Sequence, residues 1–163
     1  MPLPSTMTPI ATVTLTANAS TITFSSIPQD YTDLVFITSG ASQPAGGGSV
    51  VLKFNGDTGN NYSYLYFFGS GSSAATGAFG NVSGCLVNRH NTTDGSGWTV
   101  ISNYSNTSVT KPLISRGGGN NIAITLTGRW RSTAAITSIA CSMESGPGFA
   151  TGFTATLYGV KAA

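Results

Sequence analysis

The sequence predicts an all-β fold: a two-sheet antiparallel sandwich, jelly-roll-like, of about ten strands and with no substantial helix. Two observations predict it. Apolar and polar residues alternate with a period of two in short runs along the whole chain, as at 12–16, 122–126 and 153–158. Between the runs, clusters of Gly, Pro, Asn and Asp mark turns roughly every dozen residues. No repeat of fixed period points instead to a propeller or solenoid. A length of 163 residues suits one domain, divided here into an extended N-terminal arm over 1–10 and a single sandwich over 11–163.

The arm contains Pro2, Pro4 and Pro9 and shows no periodicity. Residues 12–16 and 21–24 both alternate and, with only 17–20 between them, predict a hairpin. A Pro-containing connection at 27–31 leads into Leu34-Val35-Phe36-Ile37, a continuous apolar run of the kind found in strands covered on both faces. The ASQPAGGG segment over 41–48 is a loop. The most strongly patterned stretch is 50–69. Val50, Leu52 and Phe54 alternate with Val51 and Lys53, Asn55-Gly56 supplies the positive-φ pair of tight hairpin turns, and 62–68 holds five aromatics in seven residues. A β-hairpin is predicted there, followed by a low-complexity Gly/Ser/Ala surface excursion over 70–81. Further strands are expected at 82–87, 98–104, 111–115, 122–130, 134–143 and 153–158. Pro112 predicts an edge position for the strand at 111–115.

Charged residues make up only 7% of the chain and the net charge is +2, against roughly 25% charged residues in an average soluble protein. With 40% hydrophobic residues, the low charge does not signal disorder. It signals a neutral-polar surface with little repulsion between copies. The seven basic residues are scattered, so a nucleic-acid partner is not expected. No apolar run is long enough for a membrane span, and the N-terminal residues lack the basic start and apolar core of a secretion signal. The six Asn-x-Ser/Thr triplets, at Asn18, Asn61, Asn81, Asn91, Asn103 and Asn106, are then expected to be unglycosylated. Cys85 and Cys141 lie in apolar, strand-like contexts; buried free thiols are preferred over a single disulfide.

The inventory for chemistry is thin. The carboxylates are Asp30, Asp33, Asp57, Asp94 and Glu144, each accounted for by turn chemistry rather than by a catalytic pair. His90 is the single histidine and reads as a solvated loop residue within 89–97. No GxSxG elbow, phosphate loop, EF-hand or Cys/His zinc pattern is present. No catalytic residue, cofactor or metal ligand is therefore expected. What stands out is Tyr62, Tyr64 and Tyr66, which share one face of their strand, with Leu65 and Phe67 on the other. Either the tyrosines cap the core edge with wet hydroxyls, or they form an exposed row suited to a subunit interface or to stacking on sugars.

Four segments together resemble a group of tailed-bacteriophage virion proteins: TVTLTANASTITFSSIPQDYTDLVF over 12–36, FNGDTGNNYSY over 54–64, KPLISRGGG over 111–119 and FTATLYGVKAA over 153–163. The resemblance implies a structural, non-enzymatic component of a phage particle, assembled in the host cytoplasm and resident in the virion. It carries over no catalytic residue. One form of the expectation is a capsid decoration, or cement, protein that bridges capsomers as a homotrimer against the major capsid protein. The candidate contacts are then Met1, Pro2, Leu3, Pro4, Pro9 and Ile10 in the arm, the tyrosine row, the loop at 41–48 and the loop at 116–121 with Arg116. A tail, fibre or baseplate component that binds a receptor glycan is the alternative. A carbohydrate-active enzyme on a jelly-roll scaffold is a third, weakened by the scarcity of carboxylates.

Overall fold

The computed structural model describes residues 6–43 and 48–161. Among them are twelve strands and no helix, so no helix is long and apolar enough to cross a membrane. The strands are β1 (Met7–Thr14), β2 (Thr21–Phe24), β3 (Asp33–Ser39), β4 (Gly48–Phe54), β5 (Tyr62–Ser70), β6 (Ser73–Val82), β7 (Cys85–His90), β8 (Ser96–Ile101), β9 (Lys111–Gly119), β10 (Ile122–Trp130), β11 (Ile139–Met143) and β12 (Thr154–Val160). They form two antiparallel sheets, an eight-stranded one in the order β1-β12-β3-β8-β9-β10-β5-β6 and a four-stranded one in the order β2-β11-β4-β7. Early strands pair with late ones in a nested series, giving the wrapped, jelly-roll-like connectivity expected of the sequence.

The two predicted hairpins are not hairpins. β4 pairs with β11 and β7 in the small sheet, whereas β5 pairs with β10 and β6 in the large one. The residues between them arch from one sheet to the other. Asn55 and Gly56 do adopt positive φ, 54° and 69°, but the arch is tied to other segments instead of closing on itself. Asn55 Oδ1 accepts hydrogen bonds from the backbone N–H of Thr137 and Ser138, and Asn55 Nδ2 donates to the Ala135 carbonyl at 2.7 Å. Asp57 Oδ2 accepts from Trp130 Nε1 at 2.7 Å. In the same way β1 pairs with β12 and β2 with β11, so 15–20 is a second crossing. Alternation specifies a strand but not its neighbour, and in both cases side-chain hydrogen bonds and the nested pairing decide.

Four smaller expectations also change. Residues 70–81 are not a loop excursion: 73–82 is β6, joined to β5 by a two-residue turn in which Gly71 takes φ 57°. The predicted strand at 134–143 is confined to β11. β9 is not an edge; it lies between β8 and β10, and Pro112 is tolerated as its second residue. Of the predicted arm, Pro9 and Ile10 belong to β1; Met1, Pro2, Leu3 and Pro4, and half of the 41–48 loop (44–47), lie outside the described residues.

The inner faces of the two sheets share one core. Leu34, Phe36, Leu113, Ile124, Leu126, Trp130 and Leu157 from the large sheet meet Ile22, Phe24, Val50, Leu52, Phe54, Ile139 and Cys141 from the small one. Phe24 meets Phe36 edge to face at 5.9 Å, and Phe54 lies 5.6 Å from Trp130. Cys85 and Cys141 are both buried free thiols, as preferred from sequence; burial pushes the Cys85 thiol up to about 12. A polar seam crosses the core. Thr99 and Ser115 hydroxyls bond at 2.8 Å, and Ser115 Oγ donates to the Val87 carbonyl of the other sheet.

His90 belongs to that seam and is buried, not solvated. The Gly40 carbonyl, 2.7 Å from Nδ1, can only accept, so Nδ1 carries the proton. Nε2 then accepts from Thr38 Oγ1 at 3.1 Å and from Asn88 Nδ2 at 2.9 Å. Burial lowers the imidazole pKa from its ordinary 6.5, opposed by the Gly40 bond and by Asp94. Below about pH 6.5 the unfolded chain therefore takes up a proton that the folded chain refuses, and stability should fall with acidification until the depressed pKa is passed. His90→Gln should flatten the dependence of Tm on pH between about pH 7 and 5. An unchanged acid slope would remove His90 from the explanation.

Candidate functional site

Eight strands face four, so the large sheet presents a broad outer face to solvent. The register places two rows of side chains across it. One runs Tyr158, Val35, Val100, Ile114, Thr127, Leu65 and Ala78; the other runs Thr156, Ile37, Trp98, Arg116, Thr125, Phe67 and Thr76. Each neighbour in a row belongs to the next strand of the sheet. Because side chains alternate faces along a strand, burying Leu113, Ser115, Leu126 and Tyr64 inside forces Ile114, Thr127 and Leu65 out. The result is an apolar surface that no other described residue covers: Ile114 is 60% exposed, Phe67 54% and Leu65 38%.

At the centre of this face the Arg116 guanidinium lies over the Trp98 ring, 4.9 Å from its centroid, a cation–π contact between neighbouring strands. Trp98, Val100, Pro112, Ile114 and Arg116 line a shallow depression of about 370 Å³. Arg116 and Arg129 are the charged residues that face outward from the central strands, and β5, β6, β8, β9 and β10 contain no Asp or Glu. Rigid aromatic and arginine side chains amid aliphatic ones are the composition of a contact surface.

The predicted contact residues divide. Arg116 sits at the middle of the outer face, and Pro9 extends the first row through its pairing with Tyr158; Ile10 is half-buried in β1. The tyrosine row faces inward. Tyr62 is fully buried and Tyr64 nearly so, and burial pushes the Tyr64 phenol up to about 12. Only Tyr66 reaches the rim, where the large sheet overhangs the small one. Its ring covers Gly77 so closely that a Cβ there would come within 2.7 Å of it, and it stacks with Phe79 at 6.1 Å; Phe79 also stacks on Tyr64 at 5.1 Å. Arg89 lies over the neighbouring Phe68, 4.8 Å from its centroid. Trp98, Ile114, Leu65, Phe67 and Phe79 were not singled out from sequence. The alternation in β8 and β9 does place Trp98 with Val100 and Ile114 with Arg116 on one side of their strands.

The carboxylates are dispersed. Asp30 pairs with Lys161 at 3.5 Å, Asp33 Oδ1 accepts from the Asn103 N–H, and Asp57 is engaged by Trp130, Asn61 and Gly59. The Trp130 hydrogen bond is the main influence that lowers the Asp57 pKa. Among the described residues no three His, Cys, Asp or Glu side chains come together in a way that could hold a metal ion.

No family model matches the chain, and no curated protein matches it. Among solved structures, it is similar to the mouse laminin alpha1 chain, domains LG4-5, at 11% identity and a TM-score of 0.39, over 90% of this chain and 40% of that one. It is also similar to alginate lyase Aly36B in complex with alginate tetrasaccharide, at 12% identity and a TM-score of 0.32, over 93% and 80% of the two chains. A third, more distant similarity is to infectious bursal disease virus, Gt strain, at 12% identity and a TM-score of 0.15, over 94% and 42%. The chain spans less than half the length of the laminin chain it matches. Its own two antiparallel sheets, among the described residues, make it a β-sandwich.

Proposed function

We propose that this chain is a non-enzymatic structural component of a tailed-bacteriophage particle: a capsid decoration protein, assembled in the host cytoplasm, that associates as a homotrimer and sits against the major capsid protein. The observation that carries the proposal is the uncovered outer face of the large sheet, apolar, almost free of charge and centred on Trp98, Arg116 and Ile114. The resemblance of four ordered segments to phage virion proteins supplies the setting. Neither a nucleic acid nor a membrane is a partner in this reading. A second reading, a tail or fibre component that binds a host glycan, is favoured by one observation, the stack of Tyr66 and Phe79 at the rim, whose half-open rings are of the kind on which sugars stack.

The test is association. The purified chain should form oligomers in light scattering and cosediment with phage heads. Ile114→Asp should weaken both by roughly thirtyfold, the loss of one buried aliphatic anchor at about 2 kcal/mol. Its thermal stability should stay near that of the parent, because position 114 is outside the core. A monomer indifferent to heads and tails overturns the proposal. Binding to tails together with a glycan, abolished by Phe79→Ala, selects the second reading.

A further inference from the structure

Each sheet has two edges, and three of the four carry features that discourage a further strand from adding. β1 carries Pro9 and a register shift between Pro9 and Ala11. β2 is four residues long. β7 carries Arg89 and a register shift where it meets β4. β6 lacks such protection: ten residues, SAATGAFGNV, without a charge or a proline. Its register shift is confined to the Asn81 end, leaving 73–80 regular.

The two-residue turn makes Ser70 and Ser73 a hydrogen-bonded pair, and antiparallel alternation then aims the backbone of Ser73, Ala75, Gly77 and Phe79 at β5. The N–H and C=O groups of Ala74, Thr76, Ala78 and Gly80 point the other way, where β6 has no neighbouring strand among the described residues.

We infer that this edge is an interaction surface whose partner is β6 of a second copy, paired antiparallel about a two-fold axis at Gly77. In that register Thr76 faces Ala78 of the other copy and Ala74 faces its Gly80, so every outward group enters a hydrogen-bonded pair. Phe79, 45% exposed, lies opposite Ala75 of the other copy, large against small on both sides of the axis. Gly77 meets Gly77, with the Tyr66 rings covering both. Since β6 has no charge, no like charges are brought together. Such a contact is isologous and closes on itself, giving a pair and not a fibre. It uses the sheet's edge and leaves its outer face open, so it stands independently of the contact proposed above.

The experiment is best done with Ile114→Asp, which weakens the outer-face contact. Light scattering over a range of concentrations should show a monomer–dimer equilibrium. Thr76→Pro and Ala78→Pro should each weaken the dimer by about tenfold or more, because they delete outward N–H groups while leaving the β5–β6 ladder intact. Amide exchange supplies a second readout. The amides of Ala74, Thr76, Ala78 and Gly80 should slow as the protein is concentrated, while those of Ala75, Gly77 and Phe79 are protected throughout. Should a proline variant lose its β-sheet circular dichroism, Ala78→Lys makes the same test by placing two like charges near the axis. A chain that is monomeric at every concentration, or a dimer that survives these substitutions with fast exchange at the four amides, overturns the inference.

Discussion

Lys111→Met should destabilise the protein by about 3 kcal/mol, lowering Tm by roughly 10 °C, although no charged partner is lost. Lys111 is fully buried and pairs with no carboxylate among the described residues. Its ammonium donates to three backbone carbonyls, those of Asn106 at 2.5 Å, Val109 at 2.6 Å and Thr133 at 2.9 Å. Burial lowers its pKa, and the three carbonyl oxygens replace the water the ammonium has given up. Methionine fills the space but leaves those acceptors without a donor, and an unmet buried acceptor costs more than a met one contributes. The side chain thereby fastens the 102–110 loop and the segment after β10 to the start of β9. Urea denaturation of the variant measures the effect; a loss below about 1 kcal/mol would mean that water satisfies the three carbonyls.

Tyr62→Ala should cost about 4 kcal/mol, and Tyr62→Phe only about 1 kcal/mol. The ring packs between Phe54, with centroids 6.1 Å apart, and Trp130, stacked at 6.3 Å. It thus fills the place where the arch leaves one sheet for the other. The hydroxyl accepts from the Phe54 N–H at 2.9 Å and donates to the Asp57 carbonyl at 3.3 Å. The difference between the two variants separates the volume of the ring from its hydrogen bonds. Equal losses would show that the hydroxyl, not the ring, secures the arch. Desolvation raises the phenol pKa well above its ordinary value, so neither effect should vary with pH near neutrality.

What could be read in the sequence, and what could not, follows from the range of each signal. The alternation in β10 or β12 arises within the strand, and both were expected close to where they lie. The partner of a strand is not a local property. Val50–Phe54 and the aromatic run after it carry every sign of a hairpin, and only contacts to Thr137, Ser138 and Trp130 show that they part company. β6 was missed because Gly, Ala and Ser have low strand preference; pairing with the aromatic β5 overrides that preference. The outer face was half-legible. Arg116 was singled out, but the tyrosines drew attention away from Leu65 and Phe67, since period two gives two faces without saying which one meets the other sheet. His90 was misplaced for a related reason: polar neighbours in sequence concealed apolar and hydroxyl neighbours in space.

The nested pairing has a consequence for biosynthesis. β12 is inserted between β1 and β3, so two strands made early have no common neighbour until 154–160 has left the ribosome. Folding on the ribosome cannot proceed piecemeal from the N-terminus. Until then the nascent chain carries open β edges, and pairing between strands so distant in sequence makes acquisition of the native state slow.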